Sequence, residues 1–277
     1  MKTRHEKTRS LVRKAYGKAA KAAKALKASG SCCASASCCG GRAAPSVEGE
    51  LGLSCGNPVG FSKIKKGMTV LDLGSGAGKD VFIAAPLTGP KGRVIGVDMT
   101  DEMLKLAEKN LEKFTARTGL ENVEFRKGLI ERLPVKNSGT DLVISNCVIN
   151  LSPDKPAVFR EAFRALKPGG SMVVSDIVLN RELPPALKKH AGLYAACVAG
   201  ALQRVDYLSA IRCAGFTGIK LLADKTYSSE GSGFDPITAK AARALDGAAS
   251  SITVFARKPR TFTGLRLPET VNQGEPK

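Results

Sequence analysis

Histidine is nearly missing from this chain: only His5 and His190 stand among its 277 residues. That scarcity leaves no obvious His–Asp pair of the kind that strips a proton from an oxygen or nitrogen nucleophile. No apolar run approaches the roughly 18 residues a helix needs to cross a bilayer, so no transmembrane span is expected. Nor does an uninterrupted apolar stretch follow the basic N-terminal residues, which argues against a secretory signal. Eight cysteines are too sparse at this length for a disulfide scaffold, and reduced thiols in a cytoplasm are the expectation. Internal repeats are absent. Acidic residues are scarce in one place above all: residues 1–27 hold ten Lys or Arg and a single acid, Glu6, within a net charge of +18. A basic arm can attract nucleic acid, an anionic surface or an anionic small molecule. A solvated helix face is the favoured account of it, and neither nucleic acid nor a membrane is expected as a partner.

What is present reads as an alternation of strands and helices. After an Ala/Lys-rich helix over residues 9–27, glycines and serines loosen the chain through residues 32–41. Apolar, β-branched runs at residues 68–73, 93–97, 123–125, 142–144 and 171–178 predict strands. Helices are expected between them: one from Asp80, and one behind Thr100, with Asp101 and Glu102 suited to its positive end. A third is opened by Asp154 and Pro156 and closed by residues 167–170. Beyond residue 179 the pattern loosens into helices over 185–199 and 206–213 and strands near Ile219 and over 252–256. This order predicts an α/β fold with a doubly wound, mostly parallel, Rossmann-like sheet. An N-terminal helical arm precedes it and a helical cap follows the fifth strand. The expected organisation is an arm at 1–50, a main domain at 51–258 and a flexible tail at 259–277.

Gly74, Gly76 and Gly78 lie between a strand and a helix, where a glycine motif is meaningful. Their spacing is G-x-G-x-G; the dinucleotide fingerprint would need glycine where Lys79 stands. Asp72, just before the loop, suits an ammonium rather than a phosphate. Asp98 ends the next strand, where an acid can accept two ribose hydroxyls. The combination, with Ser75 inside the loop, favours S-adenosylmethionine over NAD. Met99 is positioned to flank the adenine, while Ile130 and Glu131, after the third strand, can stack on the base or hydrogen-bond it. Asn146, at the end of the fourth strand, reads as an anchor for the cofactor's methionine end or for the strand terminus.

Cys147 follows Asn146 directly, at the spot where an open α/β sheet holds its reacting groups. Taken singly, Cys55, Cys147, Cys197 and Cys213 each read as a buried structural cysteine. Four more form the pairs Cys32, Cys33 and Cys38, Cys39. The segments SNCVINL (residues 145–151), DLGSGAGKD (72–80), VIGVDMT (94–100), LSCGNP (53–58) and CVAGAL (197–202) resemble arsenite S-adenosylmethionine methyltransferases. The likeness covers residues 12–19 and about 51–258. It implies a class I methyltransferase fold, arsenite or thiol-bound arsenic(III) as substrate, and an external thiol reductant of thioredoxin or glutathione type. It further implies arsenic held by thiolates at Cys55, Cys147 and Cys197, with Cys39 or its neighbour Cys38 nearest to a fourth, N-terminal cysteine of the family. Leu53 and Ser54 stand where that family often carries a tyrosine.

Arsenic(III) prefers thiolates by the softness argument that sorts metals, and its lone pair can attack a methyl group with no proton to remove. The reading is a cytoplasmic, monomeric arsenite methyltransferase. Its competitors are another small-molecule methyltransferase with structural cysteines, and a non-enzymatic thiol-based metalloid binder. The basic arm with its cysteine pairs is expected to capture arsenite, so removing residues 1–41 should leave cofactor affinity unchanged.

Overall fold

In a computed structural model of the chain, residues 3–28, 56–182, 200–226 and 247–261 are described. The expected helix over 185–199, the paired cysteines, Cys55, Cys197 and the tail from residue 262 lie outside them. Seven strands form one sheet in the order β3-β2-β1-β4-β5-β7-β6. The strands are β1 (Thr69–Leu73), β2 (Arg93–Asp98), β3 (Val123–Lys127), β4 (Thr140–Asn146), β5 (Leu166–Leu179), β6 (Thr217–Thr226) and β7 (Ala249–Arg257). The first five pair in parallel, and β7 runs antiparallel between β5 and β6. Crossover helices α3 (Lys79–Thr88), α4 (Asp101–Thr118) and α5 (Lys155–Ala165) link the parallel strands, with α6 (Arg204–Cys213) before β6 and the short α2 (Pro58–Phe61) near the start.

Burial explains the layers. Central strands covered on both faces read as continuous apolar runs, and Val70, Leu71, Leu73, Val143 and Ile144 are wholly buried. One face packs on α5 and α6 through Val158, Phe159, Tyr207 and Ile211; the other packs Val81, Phe82 and Phe114 of α3 and α4. Helix α5 starts as expected, with Asp154 accepting from the backbone N–H of Ala157 at 3.0 Å and Pro156 in the first turn. Thr100 does precede α4, but its side chain makes no capping bond; its backbone N–H instead donates to Asp98 at 2.8 Å.

Two local expectations are corrected. Residues 167–170 do not form a free turn before a strand at 171, because β5 already begins at Leu166, paired with Thr140. Lys258 holds the intervening glycines in the ladder: its C=O accepts from Gly169 N–H at 3.0 Å and its N–H donates to Gly170 C=O at 2.9 Å. Helix α1, running over Arg4–Ala28, is not simply a solvated face. Its stripe Val12, Gly17 and Ala20 is buried, and Val12 packs in one cluster with Cys147, Leu151 and Ile177. Gly17 lies so close to Glu102 of α4 that a Cβ would sit 3.2 Å from the carboxylate, and Lys21 pairs with the same acid at 3.7 Å.

Candidate active site

Parallel strands of an α/β sheet present their ligand crevice at the carboxyl ends, and here β1, β2 and β4 open there onto a cleft of about 1020 Å³, counted with its mouth. Every described candidate residue lines it: Asp72, Gly74, Ser75, Gly76, Asp98, Met99, Ile130, Glu131, Asn146 and Cys147. Cys39, Cys55 and Cys197 lie outside the described residues.

The glycine loop turns sharply after β1. Gly76 has φ +53, and a Cβ there would meet only Met103 Sδ at 4.0 Å, so any side chain would be strained and would project into open space beside the backbone. Its N–H donates to Asp98 at 2.9 Å. With Thr100 on the other oxygen, Asp98 is held rigidly at the end of β2. Burial raises its pKa, while backbone donors from Thr100, Gly76 and Met99 oppose the rise. A carboxylate has about four acceptor sites, so capacity remains for hydroxyl donors from a ligand. Ser75 Oγ is buried and has no hydrogen-bond partner among the described residues.

Negative charge accumulates at the β1 end. Asp72 is 3% exposed and Asp80, in the first turn of α3, 7%. Asp72 is pushed well above the usual carboxylate range, first by burial and then by Asp80 and Asp98. A cation placed there would reverse that push, so this end of the cleft fits an ammonium or sulfonium. Asn146 anchors the same corner: its Nδ2 donates to Asp80 Oδ2 at 3.0 Å and to Gly56 C=O at 3.0 Å, while its Oδ1 accepts from Gly56 N–H at 3.2 Å. Gly56 is a position of close approach, since a Cβ would come within 2.5 Å of Ser175 Cβ.

Cys147 carries the unusual backbone. Its φ is +57, one of two positive values at non-glycine residues among those described. That conformation costs about 1–2 kcal/mol for a residue with a Cβ and clusters at functional sites. Its N–H donates to Ser175 C=O at 2.9 Å, and the side chain is 4% exposed. The sulfur is engaged in a disulfide, while Cys213 is free and exposed. Reduced thiols were the expectation, and at Cys147 the structure departs from it.

Residues that the sequence reading missed come chiefly from α1 and from the turn after β4. Arg9, Val12 and Tyr16 line the cleft, as do Leu151 and Ser152. Arg9 Nη2 lies 3.3 Å from Glu131 Oε1, which also accepts from Ser152 Oγ at 2.8 Å. Because α1 forms part of this wall, removing residues 1–41 would take Arg9, Val12 and Tyr16 out of the cleft lining. The available signal was the spacing of Val12, Tyr16 and Ala20, an i, i+4, i+8 stripe within a run otherwise rich in lysine.

Residues 64–240 match the methyltransferase-domain family. The chain is 45% identical over 211 residues to the arsenite methyltransferase of Halobacterium salinarum, covering 76% of this chain and 51% of that protein. It is also 45% identical over 138 residues to the human arsenite methyltransferase, covering 48% of this chain and 37% of that protein. Thus it spans about half or less of the length of these relatives. Among solved structures, the arsenic(III) S-adenosylmethionine methyltransferase of Chlamydomonas reinhardtii aligns with a TM-score of 0.62 and 38% identity, over 74% of this chain and 67% of that one. With the glycine loop, the acid ending β2 and the sheet order already in place, the chain belongs to the class I, S-adenosylmethionine-dependent methyltransferases.

Proposed function

We propose that the protein methylates arsenic(III) bound to cysteine thiolates, Cys147 among them. The observation that carries this reading is the pairing at the end of β4. Cys147 lies in the cofactor cleft in a costly backbone conformation, and its neighbour Asn146 makes two hydrogen bonds with Gly56, the residue bonded to Cys55. Consecutive Cα atoms are about 3.8 Å apart, so that clamp ties the chain next to Cys55 to the chain next to Cys147. Cys197, and Cys39 or Cys38, complete the proposed thiolate set. The names of the relatives point the same way.

S-adenosylmethionine, when bound, supplies an activated methyl group on a sulfonium. The residues of the chain divide the remaining work. Asp98 accepts from the ribose hydroxyls, the acids at the β1 end receive the ammonium, and Met99 and Ile130 offer apolar flanks for the adenine. Thiolates hold arsenic(III) with a lone pair exposed. Such a nucleophile has no proton to lose, which suits a cleft whose described lining contains no histidine. Catalysis then rests on orientation and exclusion of water. Cys147 must first be released from its disulfide. An external dithiol, of thioredoxin type or two glutathione molecules, is oxidised to a disulfide as Cys147 and its partner return to thiols.

Incubating the purified protein with arsenite, glutathione and methyl-labelled S-adenosylmethionine tests the proposal. Labelled methylarsenic is expected. Cofactor binding with no methylated arsenic would remove arsenite as the substrate and leave another small-molecule acceptor.

A further inference from the structure

The turn that carries Cys147 is gripped from behind by buried polar side chains that lie outside the cleft lining. After β4 the chain passes through Cys147 and Val148 into a single 3₁₀ turn, Ile149–Leu151. Two consecutive residues of β5 hold the two ends of this stretch. The backbone C=O of Ser175 accepts from Cys147 N–H at 2.9 Å. The next residue, Asp176, accepts through Oδ1 from Asn150 Nδ2 at 2.7 Å, and the same Nδ2 donates to Ile177 C=O at 2.6 Å. Asp176 is itself braced by Ile177 N–H at 3.0 Å and by Tyr207 OH at 3.3 Å. Between the two grips Val148 presses on the glycine loop: a Cβ at Gly74 would come within 2.2 Å of its Cγ2.

Packing alone does not account for the asparagine. Asn150 is fully buried, and its Oδ1 has no hydrogen-bond partner among the described residues. A buried acceptor left unpaired is costly, and an apolar side chain of similar shape would carry no such cost. What the asparagine supplies and a leucine cannot is the amide N–H that joins the turn to β5. That joint matters because Cys147 has a positive φ, a conformation the surrounding structure must impose. Hydrogen bonds behind a reacting group hold it within about 0.5 Å of productive geometry. A misplacement of about 1 Å can cost roughly 100-fold in rate.

We propose that Asn150, braced by Asp176, is a positioning residue for Cys147. It fixes where the sulfur stands relative to the glycine loop, and so relative to the methyl group of a bound cofactor. The proposal rests on the reading of Cys147 as an arsenic thiolate. Neither Asn150 nor Asp176 lines the cleft, so both act through the turn.

The test uses the reduced full-length chain and Asn150→Leu, which keeps the volume and loses the N–H. Alkylation by iodoacetamide, followed peptide by peptide, reads the turn with neither cofactor nor substrate present, and exposed Cys213 is the internal reference. Cys147 is expected to react about tenfold faster in Asn150→Leu than in wild type, as local opening exposes it, with Cys213 unchanged. In turnover with arsenite, thiol and S-adenosylmethionine, kcat should fall roughly tenfold to 100-fold, while KM for arsenite and affinity for S-adenosylhomocysteine stay near wild type. Unchanged Cys147 alkylation would overturn the proposal, as would faster alkylation with a wild-type kcat. A kcat that falls only in step with the folded fraction also overturns it and leaves Asn150 a stability residue. Should Asn150→Leu not fold, Asn150→Ser, too short to reach Asp176, carries the same two readouts, and failure of both to fold overturns the proposal in the same way. Wild-type protein that methylates arsenite no faster than Asn150→Leu removes the positioning role alone. Wild-type protein that makes no methylarsenic removes the arsenic reading, and the proposal falls with it.

Discussion

The two ends of the cleft solve the problem of buried charge in opposite ways. At the β1 end, Asp72, Asp80 and Asp98 crowd together, and Asp72 is driven upward in pKa by burial and by its two neighbours. At the β3 end, Glu131 is matched within the protein by Arg9 and Ser152. Buried charges without partners are expensive and neutralise by shifting their pKa. At the β1 end Asp72 is therefore the acid that a cation would relieve, whereas at the β3 end the acid is already paired within the protein. On the proposed reading the difference gives the ligand a polarity: cationic amino acid at one end, neutral hydrogen-bonding base at the other.

Another buried acid, away from both ends, sharpens the contrast by needing no ligand. Asp176, at the carboxyl end of β5, accepts from Asn150 Nδ2 at 2.7 Å, Ile177 N–H at 3.0 Å and Tyr207 OH at 3.3 Å. Burial nonetheless dominates and raises its pKa to about 7; those donors and Lys155 oppose the rise. The folded state thus holds a proton that the unfolded chain releases at its ordinary value near 4. Stability from this group is greatest below that value and is lost as pH rises from about 4 to about 7, on the order of 4 kcal/mol in all. Asp176→Asn cannot lose that proton. Urea melts should show the variant gaining on wild type by a few kcal/mol between pH 4 and pH 8, the largest effect expected here. A difference between the two proteins that stays constant with pH would show Asp176 to be ionised throughout.

Asp98→Ala attacks the junction between the two ends. It removes the acceptor for ribose and the partner of the Gly76 and Thr100 N–H groups, and should weaken S-adenosylhomocysteine binding by roughly 2 kcal/mol in calorimetry. Unchanged affinity would break the ribose assignment. Asp72 provides a smaller and more specific signal. A bound cation favours its carboxylate, so binding should release protons and tighten as pH rises. Titrations in buffers of different ionisation enthalpy measure that release, and Asp72→Asn should reduce it. Smallest of all is Glu131→Gln, which leaves a carbonyl acceptor for the base but discharges the pair with Arg9. About 1 kcal/mol of cofactor affinity is expected to go, within the range for one hydrogen bond. A larger loss than that of Asp98→Ala would mean the β3 end, not the β1–β2 side, dominates binding.

What the sequence made legible was local. The glycine loop and Asp98 could be placed because a strand and a helix signal bracket them within about thirty residues, the size of one βαβ unit. Cys147 stood out because it follows a strand end. Its positive φ did not, since nothing in Asn-Cys-Val demands it and the bond that holds it, to Ser175, comes from another strand. The extension of β5 through residues 166–170 depends on Lys258, some ninety residues away. Docking of α1 was hidden for a similar reason: lysines dominate its composition, while Val12 and Gly17 act through partners on α4 and at the end of β4. The clamp from Asn146 to Gly56 was equally invisible, although both residues lay inside motifs already singled out.

The account stands on one sulfur, and Cys147→Ser tests it most directly. Two measurements belong together: S-adenosylhomocysteine affinity by calorimetry and methylarsenic production from arsenite with thiol present. The account predicts cofactor affinity within about twofold of wild type, a melting temperature nearly unchanged under reducing conditions, and no methylated arsenic. A serine variant that methylates arsenite at the wild-type rate would contradict it and return Cys147 to the role of a small buried hydrophobe.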